Sequence, residues 1–392
     1  MLNTAFAPWP SFTEEEANAV RDVILSNKVN YWTGQECREF EREFARWVQC
    51  KYAVAVANGT VALDLALKAL GIGAGDEVIV TSRTFLASVS SIVNAGAVPV
   101  FADVDGDSQN ITADTIRKVV SERTRAVICV HLAGWPCDME PIMALAAAHG
   151  LKVIEDCAQA HGALYKGRPV GSIGHVGAWS FCQDKIMTTG GEGGMVTTND
   201  KALWSTMWSF KDHGKSWEAV YEREHPPGFR WLHESFGTNW RMLEVQAVIG
   251  RLQLQRMPQW QAQRGAYAQR IWSAAVQLAG LRVPAVPSDI RHAAYKCYVF
   301  VEPEALVEGW DRDRIAREIN EAGVPCYSGS CSEVYLEKAF DDTGWRPELS
   351  LPVARALGET SLMFLVHPTL SDREIDKTCE VLASIMGRAT AR

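Results

Sequence analysis

Two blocks of this chain bring together a carboxylate, an amide, a hydroxyl and a lysine amine. The first, VIEDCAQAHGA (Val153–Ala163), sets Asp156 at the end of an apolar run and Gln159 three residues later. The second, WSFCQDKIMTTGGEGG (Trp179–Gly194), carries Ser180 and Lys185 ahead of a run of glycines. An amine that can form an imine, an acid for a pyridine nitrogen and donors for a phosphate are what pyridoxal phosphate (PLP) requires. Lys185 is the candidate Schiff-base amine. It must be partly neutral, which burial and nearby positive charge favour. Its bland reading is a surface lysine. Its flanks read as two strands joined by a turn, which would aim it inward.

Asp156 would keep the ring nitrogen protonated; otherwise it caps a helix starting at Cys157. Glu155 points to the other face of the same strand and reads as structural. Asn58-Gly59-Thr60 joins a strand to a helix, where Gly59 permits close backbone approach and the helix start offers free N–H groups to a phosphate. It is equally an ordinary cap and turn. Ser180 is a further phosphate donor or a plain strand serine. Phe85, in TFLAS, either stacks on the pyridine ring or packs in the core. Gln159 either meets the cofactor's phenolic oxygen or lies on a helix surface.

Positioning these residues takes a sheet. Strand-like YAVAVA (52–57), EVIVTS (77–82), VPVFADV (98–104), AVICVH (126–131) and LKVIED (151–156) alternate with helical patterns over 61–70, 86–95 and 139–149. The rhythm predicts an α/β fold, a mostly parallel sheet between helices. Thr60, Phe85 and Asp156 then converge outside the carboxyl ends of its strands. Amphipathic patterns follow over 242–254 and 259–278. Strand-like 296–301 and helical 312–322 and 372–386 read as a smaller α+β domain. The expected division is a large PLP-binding domain, 1–255, and a small C-terminal domain, 256–392.

Composition narrows the classes. The 392 residues are 47% hydrophobic, enough for a sizeable core, with a net charge of −8 and no long basic run. That argues against a nucleic-acid partner. Ten cysteines lie scattered without CxxC pairs, which reads as reduced thiols in a cytoplasmic protein with no metal site. The N-terminal stretch, Met1–Val20, has no basic start and no long apolar core, so no signal peptide is expected. No stretch is long and apolar enough to suggest a membrane span.

Together these blocks resemble the DegT/DnrJ/EryC1/StrS family of PLP-dependent sugar aminotransferases, which have the aspartate-aminotransferase fold (fold type I). The runs that carry the resemblance are ANGTVALDLALKALGIGAGDEVIV, GAVPVFADVD, VIEDCAQAHGA, GSIGHVGAWSF with Lys185 and GGEGGMV, and FGTNWRMLEVQAVIG. They span roughly Val20 to Arg256, and LVHPTLSDREI (Leu365–Ile375) echoes the family's tail. The resemblance implies that Lys185 carries the Schiff base, Asp156 faces the pyridine nitrogen, Gln159 touches the phenolic oxygen and Phe85 stacks. It implies phosphate contacts from Gly59, Thr60 and Ser180, and from Asn239 of the neighbouring subunit, hence a homodimer with shared sites.

Family members with histidine in place of the lysine are dehydratases, so Lys185 argues for transamination. The expected reaction moves an amino group from L-glutamate to a keto sugar on a nucleotide. TTGGEGG resembles members that act at C4 of 4-keto-6-deoxy sugars. A 3-keto sugar, a keto-cyclitol, an aminobenzoate-forming enzyme, a deoxysugar dehydratase and a non-catalytic sensor stand as alternatives. Gly323–Phe340 departs from the commoner family tail. Trp32, His213 and Tyr327 are candidate substrate contacts, each equally at home in core or surface.

Overall fold

The computed structural model describes residues 5–390; residues 1–4, the start of the stretch read for a signal peptide, lie outside it. The large sheet has seven strands: β1 (Tyr52–Val56), β2 (Glu77–Thr81), β3 (Val98–Ala102), β4 (Thr124–Val130), β5 (Lys152–Asp156), β6 (Val176–Ser180) and β7 (Gly194–Thr198), in the order β1-β7-β6-β5-β4-β2-β3. Only β7 runs antiparallel to its neighbours. Strands β2, β5, β6 and β7 are wholly buried apart from Lys152, as strands of a largely parallel sheet covered on both faces should be. One apolar cluster fills the side lined by Phe40, Phe44, Leu65 and Trp179, and another the side of Ile116, Ile142 and Val153.

Six strands therefore end on the same rim. The helix Gly59–Ala69 follows β1, capped by the Asn58 side chain on the Val61 N–H at 2.9 Å. The helix Ala87–Asn94 follows β2. The helix Met139–His149 closes at Gly150, whose left-handed backbone (φ 68°) ends the spiral before β5.

The two patterns over 242–254 and 259–278 form a single helix, Glu244–Ala275, that runs through Pro258. A proline there removes one ladder bond and crowds the preceding turn, yet the helix is anchored on both sides. Ala247, Leu254 and Met257 pack in the large core. Tyr267, Ala268, Ile271 and Ala275 pack in a separate cluster. That second cluster covers an antiparallel sheet of β8 (Leu281–Arg282), β9 (Cys297–Val301), β10 (Cys326–Tyr327) and β11 (Ser361–Phe364), in the order β8-β9-β11-β10. The helices Arg312–Glu321 and Asp372–Ala389 pack on it. The sequence boundary at 255/256 falls inside the long helix. The N-terminal segment also reaches the later part of the chain, with the Ala7 N–H on Glu374 Oε1 (2.6 Å) and Pro8 O accepting from Thr369 (2.7 Å).

Glu155 is structural, as strand alternation suggested. Its buried carboxylate accepts N–H groups of Gly171 (2.9 Å), Ile173 (2.8 Å) and Gly174 (2.6 Å), and pairs with His131 Nε2 at 3.0 Å. The Cys137 N–H donates to His131 Nδ1, so Nε2 carries the proton and donates to Glu155. Burial works to raise the Glu155 pKa, but these hydrogen bonds hold it below the usual carboxylate value. Cys157 lies close enough to complete a metal-like trio, but its partners are already engaged within the protein. All ten cysteines are free thiols.

Candidate active site

At the rim, the N–H groups of Gly59 and Thr60, the first of their helix, take no backbone partner among the described residues; the Asn58 side chain satisfies only Val61. Neither Gly59 nor Gly194 has room for a side chain. A Cβ on Gly59 would meet Ser180, and one on Gly194 would meet the Asn58 carbonyl. The strand-to-helix turn is thus pressed against Ser180 at the end of β6. Free amides at a helix start, closed in by a hydroxyl, suit an anion of phosphate size.

Asp156 ends β5 and is buried. No helix starts at Cys157, so the helix-cap reading does not apply. Asp156 Oδ1 accepts the Ala158 N–H of a tight turn (3.1 Å), and Oδ2 accepts the Ser88 hydroxyl (2.8 Å). Burial pushes its carboxyl up; Ser88, Ala158 and the charge of Lys185 pull it back. A buried carboxyl of this kind is ready for a cationic partner. Gln159 lies in the same turn and is buried, not on a helix surface. Its Oε1 accepts the Ala133 N–H at 2.8 Å, which leaves the amide N–H₂ as the free end, the end that suits a phenolate oxygen. Phe85 is 70% exposed, so core packing does not account for it; its ring stands open at the rim.

Lys185 occupies the irregular connection between β6 and β7, its side chain 17% exposed. Its Nζ lies 3.5 Å from Asp184 Oδ1 and 5.4 Å from the centre of the Tyr295 ring. The Tyr295 hydroxyl bonds Asp184. The Lys296 Nζ lies 4.9 Å from the same ring, and burial lowers that amine to about 8. Arg264, fully buried on the long helix, hydrogen-bonds the carbonyls of Ala294 and Tyr295, at 3.5 and 3.4 Å, leaving Nε and Nη2 without a hydrogen-bond partner. The Lys185 and Lys296 ammonium groups thus both act on one carboxylate, Asp184, with Arg264 held on the Tyr295 carbonyl.

The other candidates lie apart from these contacts, and Asn239 is expected to act in a neighbouring subunit. Asn239 is exposed, backbone-bridged to Asp212. Trp32 packs edge-on to Tyr31 and Trp208, with Lys215 Nζ 4.0 Å from its ring centre. His213 is exposed with a left-handed backbone (φ 59°). Tyr327 stands half-exposed on β10. None of these hydrogen-bonds Lys185 or Asp156. Sequence reasoning missed Ser88, Asp184, Tyr295, Lys296 and Arg264. Ser88 had a signal, three residues after Phe85, and Asp184 had one as the neighbour of Lys185; Tyr295, Lys296 and Arg264 depend on contacts between distant segments.

Two buried histidines flank the site. His161 lies between the Trp179 and Phe181 rings, and burial together with the Lys185 charge lowers it to about 3. His367 is lowered to about 3 by burial and by the charges of Arg264 and Lys296. Both folded values lie below the unfolded value near 6.5. Their contribution to stability is therefore complete above that value and is lost as pH falls through it toward 3. These two rings alone should let unfolding take up as many as two extra protons around pH 5, a slope of about 2–3 kcal/mol per pH unit. Urea unfolding at pH 7, 6 and 5 measures it, and His161→Asn should remove up to one proton from the slope. Equal stability at pH 7 and 5 would refute the neutral burial of these rings.

Comparison with known proteins agrees with this architecture. The chain matches the DegT/DnrJ/EryC1/StrS aminotransferase family over residues 10–383. It is 65% identical to an aminotransferase of Psychrobacter cryohalolentis whose X-ray structure is known, covering 98% of this chain and 99% of that one with a TM-score of 0.96. It is 36% identical over 385 residues to the spore coat polysaccharide biosynthesis protein SpsC of Bacillus subtilis (strain 168), covering 97% of each. It is 35% identical over 375 residues to the GDP-perosamine synthase of Escherichia coli O157:H7, covering 95% of each. With the family matched along nearly the whole chain and a PLP-suited rim in place, this protein belongs to the DegT/DnrJ/EryC1/StrS aminotransferases and is a PLP-dependent enzyme.

Proposed function

We propose that the enzyme transfers the amino group of L-glutamate to a keto sugar carried on a nucleoside diphosphate, a 4-keto-6-deoxyhexose, for amino-sugar and surface-polysaccharide synthesis in the cytoplasm. The observation that carries this reading is the convergence at one rim of free helix-start amides, the Asp156 carboxylate and the Lys185 amine. The TTGGEGG run and the nucleotide-linked product in the name of the E. coli relative support the sugar acceptor. The Lys185, Lys296 and Arg264 cations around the Tyr295 segment favour an acidic donor and a diphosphate.

In this reading Gly59, Thr60 and Ser180 hold the phosphate of PLP, Asp156 faces the ring nitrogen, Gln159 donates to the phenolic oxygen and Phe85 covers the ring face. Bound PLP supplies the electron-withdrawing ring that makes the donor's Cα–H acidic. Lys185 Nζ takes that proton in one half of the cycle and delivers a proton to the sugar's C4 in the other. The test is incubation with glutamate and a panel of keto nucleotide sugars, read by mass spectrometry. A 4-amino product supports the assignment; amination only at C3, or only of a keto-cyclitol, overturns it.

Assembly belongs to the same proposal. Phe229, Trp231 and Phe236 stand 76%, 80% and 99% exposed just ahead of Asn239. Phe229 and Trp231 pack edge-on at 4.7 Å; bare aromatic rings in one short segment favour a partner surface, and a two-fold pair would place Asn239 in its neighbour's site. Inactive Lys185→Ala and Asn239→Ala subunits, mixed under conditions that exchange subunits, should recover activity in the sites that regain both residues. No recovery despite proven exchange would place Asn239 in its own chain's site.

A further inference from the structure

Lys185 sits on irregular backbone, and its carbonyl would be left without a partner by its own loop; the loop supplies only a bond from the Lys185 N–H to Cys182. The partner comes from the other end of the chain. The Trp9 indole Nε1–H donates to the Lys185 carbonyl at 2.8 Å, across 176 residues. The indole is itself held on several sides. Trp260 meets it edge-on at 5.2 Å, His367 stacks at 5.9 Å, and the Arg264 guanidinium lies 5.0 Å from its ring centre. The preceding backbone is pinned to Glu374 and Thr369. A rigid donor fixed by the long helix and the C-terminal region therefore sets where the Lys185 backbone stands. On the side-chain end, Asp184 and Tyr295 flank Nζ.

We propose that Trp9 is a positioning residue for the amino-transfer reaction, holding the backbone of Lys185 so that its amine starts from one place. The proposal rests on the reading of Lys185 as the PLP-bearing lysine. Trp9 touches no reacting atom and acts only through Lys185. Reaction rates fall steeply when a reacting group is displaced: a shift of 1 Å costs about 10²-fold. Losing one of several restraints should cost less, about tenfold in the limiting rate.

The experiment compares Trp9→Phe, which keeps an aromatic body and loses the N–H, with Trp260→Phe, which disturbs the same stack and leaves the Trp9 bond intact. Each PLP-loaded protein is mixed with saturating glutamate, and the loss of bound-PLP absorbance gives the limiting rate of the half-reaction. The same absorbance is titrated with pH. In the PLP-free proteins, acetylation of Lys185 is timed by mass spectrometry. Trp9→Phe should slow the limiting rate about tenfold with little change in the glutamate concentration at half-saturation. It should shift the pH midpoint of the absorbance and speed Lys185 acetylation several-fold. Trp260→Phe should do none of these, even with a similar fall in melting temperature.

Wild-type rate, midpoint and acetylation in Trp9→Phe would overturn the proposal, as would equal losses in both variants. Borohydride mapping of the wild-type protein separates the two readings. A label on Lys185 with an unaffected Trp9→Phe defeats the positioning role alone. A label on another lysine defeats the Lys185 assignment and the positioning role together.

Discussion

Lys185→Ala is expected to lose turnover by several orders of magnitude, because both the bond to PLP and the proton carrier at the substrate carbon disappear. Borohydride reduction of the wild-type protein followed by peptide mapping should place the phosphopyridoxyl group on Lys185. The structure ranks the rivals. Lys211 is fully buried with its Nζ 3.4 Å from the Tyr31 ring centre and 3.5 Å from Glu41, which leaves no space for a cofactor. Lys152 opens β5 at the opposite end from Asp156 and is exposed. Lys296 is the serious competitor, since it shares the Tyr295 ring with Lys185 and its amine is lowered to about 8. A label on Lys296, or wild-type turnover in Lys185→Ala, would move the reaction centre to that residue.

Much of this site was legible in the sequence because its first contacts are local. Asn58-Gly59-Thr60 is a strand-to-helix turn, and a turn's free amides follow from backbone geometry alone. Asp156 and Ser180 close apolar runs, so a parallel sheet carries them to one rim whatever the order of its strands. Strand alternation likewise separated Glu155 from Asp156, and the two carboxylates do face different partners. The same logic failed for the long helix. A sequence with a proline at 258 reads as two segments, whereas packing in two cores carries Glu244–Ala275 through it.

Apart from its sequence neighbour Asp184, the remaining surroundings of Lys185 were not legible, because they are contacts between distant segments. Tyr295 and Lys296 lie just before a strand of the second sheet, Arg264 on the long helix and Trp9 near the chain's start. No periodicity encodes a meeting of four segments at one loop. Phe85 shows the converse. Its surroundings in the sequence allowed core or rim, and only the fold decides, leaving the ring 70% exposed. Trp32, His213 and Tyr327 were chosen by residue type without a positional argument, and none of them hydrogen-bonds Lys185 or Asp156 in this chain.

Asp156→Asn should separate the cofactor role from a structural one. An amide keeps the shape of the side chain and can still accept the Ala158 N–H, while its N–H₂ can donate to Ser88, whose hydroxyl already meets Thr84 Oγ1 at 2.9 Å. The fold should survive. In the PLP-free protein the substitution removes a buried charge that burial disfavours, so stability should hold or rise. The pH dependence has a definite sign. A carboxyl whose folded pKa lies above its unfolded value binds its proton more tightly when folded, so the wild-type protein loses stability relative to Asp156→Asn as pH rises through that range. Turnover should move the opposite way and fall about 10²-fold or more, because an amide cannot keep the ring nitrogen protonated. Melting curves of the PLP-free proteins at pH 5 and 8, beside single-turnover rates with glutamate, make the comparison. An unchanged rate would reduce Asp156 to the cap of the Ala158 turn and place the ring's acidic partner elsewhere. A slow rate with an equally weakened fold would mean that the carboxylate supports the rim rather than the ring.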